Sequence, residues 1–254
     1  MIIYAIALNT FREAVRDKIL YTLLFFALLM IAGSGVAADL TIGEYDKILR
    51  DLGLAAINLF GVAIAIFVGI GLVYKEIERK TIYTIASKPV ARWQFLVGKY
   101  LGLVVTLGAE VCVMGVGFLL LLIVAQGQLS LGLVAAIWLT WIELLVITAI
   151  AILFSCFSTP TLSALFTVAI TLIGRMTSGF KDIAASADAP GLETLANIAY
   201  RVVPDLQTYN IRSEAAYGKV IEWEFVAYAT GEGLLWVAVL LSLGSIIFQY
   251  RDFK

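Results

Sequence analysis

Six long apolar stretches dominate this sequence of 254 residues. A helix that crosses a bilayer needs about 20 consecutive, mostly apolar residues, because it rises ~1.5 Å per residue through a hydrocarbon core of ~30 Å. The six stretches lie at residues 19–38, 54–74, 97–125, 131–153, 161–179 and 225–248. They lack the alternation that is typical of strands in a membrane barrel. The sequence therefore predicts an all-α polytopic membrane protein with a single transmembrane domain over residues 1–254.

The composition argues against catalysis and against metal or nucleotide binding by this chain. Histidine is absent, which removes the commonest metal ligand and the usual general base. The sequence also lacks the Gly-x-x-x-x-Gly-Lys loop that holds nucleotide phosphates, so ATP, if it powers the protein, must bind to another subunit. Cys112 and Cys156 lie in or beside predicted spans, far apart in sequence, and are interpreted as packing residues. We expect no catalytic residue, metal site or cofactor in the chain itself.

The basic residues indicate the orientation. With the N-terminus inside, the segments 1–18, 75–99, 154–160 and 250–254 face the cytoplasm and hold eleven of the 18 lysines and arginines. Acidic residues concentrate in the outer segments 39–53 and 180–224. The positive-inside rule then predicts cytoplasmic N- and C-termini.

Residues 1–18 form a predicted amphipathic elbow helix. Its apolar stripe comprises Ile3, Ile6, Ala7, Phe11, Ala14 and Val15, and polar residues such as Asn9 and Arg16 occupy the other side. Such a helix can lie in the headgroup region of membrane lipids. The alternative is that it packs on a soluble partner.

The segment between the second and third spans, residues 75–96, concentrates charge of both signs. Its predicted helical surface carries charged and hydrogen-bonding side chains around two apolar ones: Glu76, Glu78, Arg79, Lys80, Thr81, Tyr83, Thr84 and Ser87, with Ile82 and Ile85 as the apolar pair. A loop that only sets topology needs its basic residues alone. Mixed charge around an apolar centre is typical of a specific protein–protein contact.

This segment resembles that of a known family. Glu78-Arg79-Lys80-Thr81, followed by Lys88-Pro89-Val90 and Gly98-Lys99, is similar to the region between spans two and three of type-2 ABC transporter permeases, the exporter-type membrane subunits. "TFREAVRDKILY" from Thr10 and "VVPDLQTYNIRSEAAYG" from Val202 resemble the subgroup that includes the permease used in maturing nitrous oxide reductase.

The resemblance implies a coupling helix at about residues 81–87. This helix docks, together with Lys88 and Arg92, on a separate ABC ATPase that binds ATP and Mg²⁺. It also implies a complex of two permease copies and two ATPases, with a path lined by the second and fifth spans. An extracytoplasmic binding protein or lipoprotein is a further possible partner, and no nucleic acid is expected.

Apart from Lys99 at the cytoplasmic edge of the third span, four charged residues lie inside predicted spans: Glu110, Glu143, Arg175 and Glu232. Charges at such depth usually face the bundle interior, pair with one another or mark a pathway. Glu110 and Glu143 share a level without an obvious cation, so hydrogen bonds to hydroxyls such as those of Thr106 or Thr140 are expected. Their role is either interhelical packing or a functional one, as part of a polar lining or a proton relay. Arg175 and Glu232 are expected to pair near the outer surface.

Small residues recur at helical spacing in two rows: Gly61, Ala65 and Gly69 in the second span, and Gly98 and Gly102 in the third. Such rows permit close helix approach. The first row contacts either a second copy, the path or another span of the same chain.

The long outer segment 180–224 contains a predicted short helix over residues 192–202 that ends at Pro204. A cap over the bundle is the simpler role for it, and gating is the other. The function predicted for the chain is the membrane subunit of an ATP-driven exporter. The alternatives are a secondary transporter or channel, for which an internal repeat is missing, and a membrane anchor that transmits ATPase-driven force.

Overall fold

A bundle of six long helices forms the body of the protein in a computed structural model. The structure describes residues 2–39, 44–78, 91–126, 129–186 and 203–250, and within these it gives the backbone alone for 72–78, 178–186 and 250. The helices are α1 (Ile2–Ala14), α2 (Lys18–Asp39), α3 (Tyr45–Glu78), α4 (Arg92–Gln126), α5 (Leu131–Ser155), α6 (Pro160–Ser186), α7 (Arg212–Ala216) and α8 (Trp223–Tyr250). A 3-10 turn at Leu206–Tyr209 precedes α7.

Six of these helices are long and apolar enough to cross a membrane: α2, α3, α4, α5, α6 and α8. No strand occurs among the described residues. The predicted all-α polytopic fold is therefore confirmed, and each of the six apolar stretches coincides with one long helix.

The second span begins earlier than the hydropathy pattern predicts. The apolar stretch starts near residue 54, whereas α3 starts at Tyr45. Its first turns carry charged side chains that bond to neighbouring elements: Arg50 donates to Gln126 Oε1 at 2.9 Å, and Arg212 lies 2.8 Å from Asp51. Hydropathy marks the part of a helix that lies in hydrocarbon, so it misses helical turns that extend beyond the membrane.

Helix α5 occupies the centre of the bundle. Its most apolar 18-residue stretch is 72% buried, against 22% for α2 and 28% for α6 and α8. Apolar residues surround it on nearly every side from Ile142 to Ile152, and α3, α4, α6 and α8 all contact it. A helix that is hydrophobic all round is stable in such a central position.

The row of small residues in α3 packs against α5 of the same chain. A Cβ on Gly61 would lie 2.7 Å from Leu144 Cδ1, and one on Gly69 would lie 3.5 Å from the Cβ of Ala151. Ala65, between them, is 1% exposed. Packing within the chain is thus the use that the structure shows for this row.

The row in α4 receives the N-terminal helix. A Cβ on Gly102 would lie 2.6 Å from the carbonyl oxygen of Ala7 and 2.5 Å from Thr10 Cβ, and a Cβ on Gly98 would lie 2.8 Å from Ile6 Cβ. Lys99, which is 2% exposed, has its Nζ 3.5 Å from a carboxylate oxygen of Glu13. The predicted amphipathic helix therefore forms and packs its apolar stripe on α4, and its location at the headgroups remains a prediction.

Candidate functional site

Three polar side chains from three spans meet inside the bundle. Arg175 of α6 donates from Nε and Nη2 to Glu143 Oε1 of α5, at 3.0 and 2.7 Å. Asn58 of α3 donates from Nδ2 to Glu143 Oε2 at 2.6 Å and accepts from Arg175 Nη2 at 2.6 Å. We call these three residues the polar cluster. They tie together α3, α5 and α6.

The two charges of the polar cluster differ in exposure. Glu143 is 1% exposed and both of its oxygens accept hydrogen bonds, whereas the Arg175 side chain is 32% exposed. The carboxylate is therefore held inside the protein, and the guanidinium forms the outward edge of the cluster. Removing two charges from water is costly, and the cost is recovered only where geometry is good and the remaining hydrogen bonds are satisfied. Asn58 supplies these additional hydrogen bonds to both charged groups.

The expected pair of Arg175 and Glu232 is wrong, because Arg175 bonds to Glu143. Counting residues from the ends of a helix gives the depth of a side chain. It does not give the direction in which the side chain points relative to helices that are distant in sequence. Glu232 lies half-buried in α8 and does not contact Arg175.

The expectation that Glu143 lacks a cation is wrong for the same reason. The proposed hydroxyl partners are also wrong, since Thr106 and Thr140 donate to the backbone carbonyls of Gly102 and Ala136 in their own helices, each at 2.9 Å. Sequence reasoning missed Asn58 altogether. An amide inside an apolar span was the available signal for it.

Glu110 differs from Glu143. It is 4% exposed, and neither carboxylate oxygen has a hydrogen-bond partner in the part of the chain that the structure describes. The two glutamates are therefore not one polar lining built of equivalent groups. A functional role for Glu110 remains a prediction.

The predicted coupling residues lie mostly outside the described residues. Glu76 and Glu78 belong to the last turns of α3, whose backbone is described there. The residues that fall outside are Arg79, Lys80, Thr81, Ile82, Tyr83, Thr84, Ile85, Ser87 and Lys88. Their role in coupling stays a prediction.

Arg92, the first residue of α4, bonds to the end of α8. Its Nη1 donates to the carbonyl oxygens of Phe248 at 3.1 Å and Gln249 at 2.9 Å. The last carbonyls of a helix have no partner within the helix and carry partial negative charge, so a guanidinium is favourable there. Arg92 thus joins the start of the third span to the end of the sixth. Its proposed part in coupling is untested.

The described part of the predicted outer segment, residues 203–222, packs against α3, α5 and α6. The carbonyl oxygen of Pro204 lies 2.7 Å from the position that a Cβ on Gly174 would take, one residue before Arg175. Tyr209 is 1% exposed, and burial raises its pKa above the usual value. The predicted helix over residues 192–202 lies outside the described residues, so its role as a cap stays a prediction.

Comparison with known proteins identifies the class. A family model described as ABC-2 family transporter protein matches residues 4–253, from α1 through all six spans. A search of curated proteins finds no significant match. The match covers nearly the whole sequence, so the resemblance of the charged segment extends to the complete bundle. This chain belongs to the ABC-2 transporter family, as a multi-pass permease subunit of an ABC transporter.

Proposed function

We propose that the chain is the membrane half of an ATP-driven exporter in which two permease copies assemble with two ABC ATPase subunits. ATP and Mg²⁺ bind to the ATPases, and the chain itself binds neither. The termini lie in the cytoplasm of a prokaryotic cell, and the subgroup is the one that includes the permease for nitrous oxide reductase maturation. The family match supports the partnership with an ATPase.

The continuity of α3 carries the proposal. This helix has 34 residues and includes both Asn58 of the polar cluster and Glu78, where the predicted coupling segment begins. The 20 residues between them span ~30 Å at ~1.5 Å per residue. Because a packed helix moves as a unit, a displacement imposed on its cytoplasmic end by an ATPase reaches the polar cluster, and through it α5 and α6.

The test uses the permease reconstituted in vesicles with its ATPase. Tyr83→Ala and Ile85→Asp remove predicted anchors of the contact, whose truncation typically costs ~2 kcal/mol or more of binding energy. We expect both variants to lose co-purification of the ATPase and permease-dependent ATP hydrolysis.

Matched controls come from α1, which lies on the same side of the membrane in the proposed orientation. Tyr4→Ala and Ile2→Asp alter residues that are 73% and 43% exposed. Both controls should assemble and hydrolyse ATP like the parent. If Tyr83→Ala and Ile85→Asp behave like the controls, residues 81–87 are not the coupling element.

A further inference from the structure

We infer that a groove between the outer halves of α4 and α5 binds one acyl chain of an outer-leaflet phospholipid. The term outer rests on the proposed orientation. The groove has a volume of about 370 Å³, and its lining consists of apolar residues, glycine and one cysteine: Gly108, Val111, Cys112, Val134, Ile137, Trp138 and Trp141. Sites for small ligands begin at ~300 Å³.

The depth of the groove matches the outer leaflet. Val134 lies three residues and Trp141 ten residues from the start of α5 at Leu131. At ~1.5 Å per residue the groove extends from ~5 to ~15 Å below the outer end of the helix. A hydrocarbon core of ~30 Å places its lower end near the midplane.

The groove opens to the side. Val134 and Trp138 are each 45% exposed, whereas α5 is buried on nearly every side from Ile142 onward. An acyl chain of the surrounding leaflet therefore reaches the groove from the side, and the exposed part of α5 ends near Trp141.

Its aromatic wall is held in place. The Trp138 indole donates to Thr230 Oγ1 of α8 at 3.1 Å, and the rings of Trp138 and Trp141 meet edge to face at 5.0 Å. On the opposite side Gly108 leaves room for Trp141, whose Nε1 would lie 3.3 Å from a Cβ at that position. Small residues on α4 and fixed rings on α5 keep the groove from collapsing.

The apolar lining of the groove favours an acyl chain over water. Water in a cavity needs two to four polar partners, which this lining does not provide. A single lipid tail in this space contacts protein on several sides, and the many small dispersion gains add up.

A second copy is the less favoured occupant. At 3.6 residues per turn, Val134 and Trp141 project about 180° and 200° away from Glu143 around the axis of α5. The polar cluster, which faces α3 and α6, therefore lies on the opposite side of α5 from the groove. The resemblance implies that the second and fifth spans line the central path of the assembly, and the groove lies on the other side of α5, toward lipid.

Photolabelling of the full chain in vesicles tests the proposal. The probe is a phosphatidylcholine with a photoactivatable diazirine in the middle of one acyl chain, and labelled residues are mapped by mass spectrometry. We expect Cys112, Val134 and Trp138 to be labelled roughly fivefold more than Val105 and Val116, which are also exposed on α4 but lie outside the groove.

A pair of variants provides the control. Cys112→Phe fills the groove and should reduce its labelling to the level of Val105, whereas Val113→Phe adds the same ring on a neighbouring exposed position and should leave it unchanged. Cys112→Leu gives the same test with a smaller side chain if the Phe variant does not accumulate. Equal labelling inside and outside the groove, or labelling that survives both fillings, would overturn the proposal. So would cross-linking of two copies through Cys112 together with an unlabelled groove.

Discussion

Removing one member of the Glu143–Arg175 pair leaves the other charged group inside the bundle, and their unequal burial sets the cost. Breaking a buried ion pair typically destabilises a protein by ~3–5 kcal/mol. Arg175→Met leaves a carboxylate that is 1% exposed, so we expect a loss within this range, about 4 kcal/mol. Glu143→Leu leaves a guanidinium that is 32% exposed and partly accessible to polar surroundings, so a smaller loss of about 2 kcal/mol is expected.

The double variant distinguishes pairing from general damage. Replacing both members of a buried pair by apolar residues of similar volume is often neutral for stability. Glu143→Leu with Arg175→Met should therefore cost about 1 kcal/mol, well below the ~6 kcal/mol sum of the single losses. The assay is reversible unfolding by denaturant in mixed micelles, with the free energy of unfolding obtained for all four proteins.

Glu232→Leu is the matched control, since it removes a glutamate in another span that has no contact with Arg175. This variant should lose little free energy of unfolding, and its loss should add to that of Arg175→Met, because additivity holds for sites without shared partners. A double variant of Glu143 and Arg175 that costs the full sum would refute the pairing. If the losses of Arg175→Met and Glu232→Leu are not additive, the two residues interact, as their predicted depth suggested.

Three further predictions test the packing. Gly102→Ala should lose ~1–3 kcal/mol by pushing α1 off α4, whereas Gly35→Ala, where a Cβ meets nothing within 4 Å, should be neutral or slightly stabilising. Arg92→Ala should speed hydrogen exchange at the end of α8 while leaving its middle unchanged, and equal exchange in parent and variant would argue against the bond. Tyr209→Phe should change the free energy of unfolding by less than ~1 kcal/mol because the buried hydroxyl has no hydrogen-bond partner in the described residues, whereas Tyr209→Ala should cost ~3–5 kcal/mol. Both Tyr209 values are read from thermal or denaturant unfolding, and a large loss in the Phe variant would reveal a missed hydrogen bond.

The sequence by itself determined the number of spans, the helical class and the position of the charged segment between the second and third spans. These follow from hydropathy and from local charge, which are properties of consecutive residues. The small-residue rows were also visible, because spacing four along a helix repeats on one face. Spacing does not show which helices contact these rows. In the structure, the row in α3 contacts α5 and the row in α4 contacts the N-terminal helix.

Only the tertiary structure decided which side chains meet. The partner of Arg175 is Glu143, together with Asn58, and no local pattern distinguishes that choice from Glu232. The start of α3 at Tyr45, outside the apolar stretch, likewise depends on contacts with Gln126 and α7. The physical reason is that a helix sequence specifies depth and face, whereas the neighbour on each face depends on how all the helices pack together.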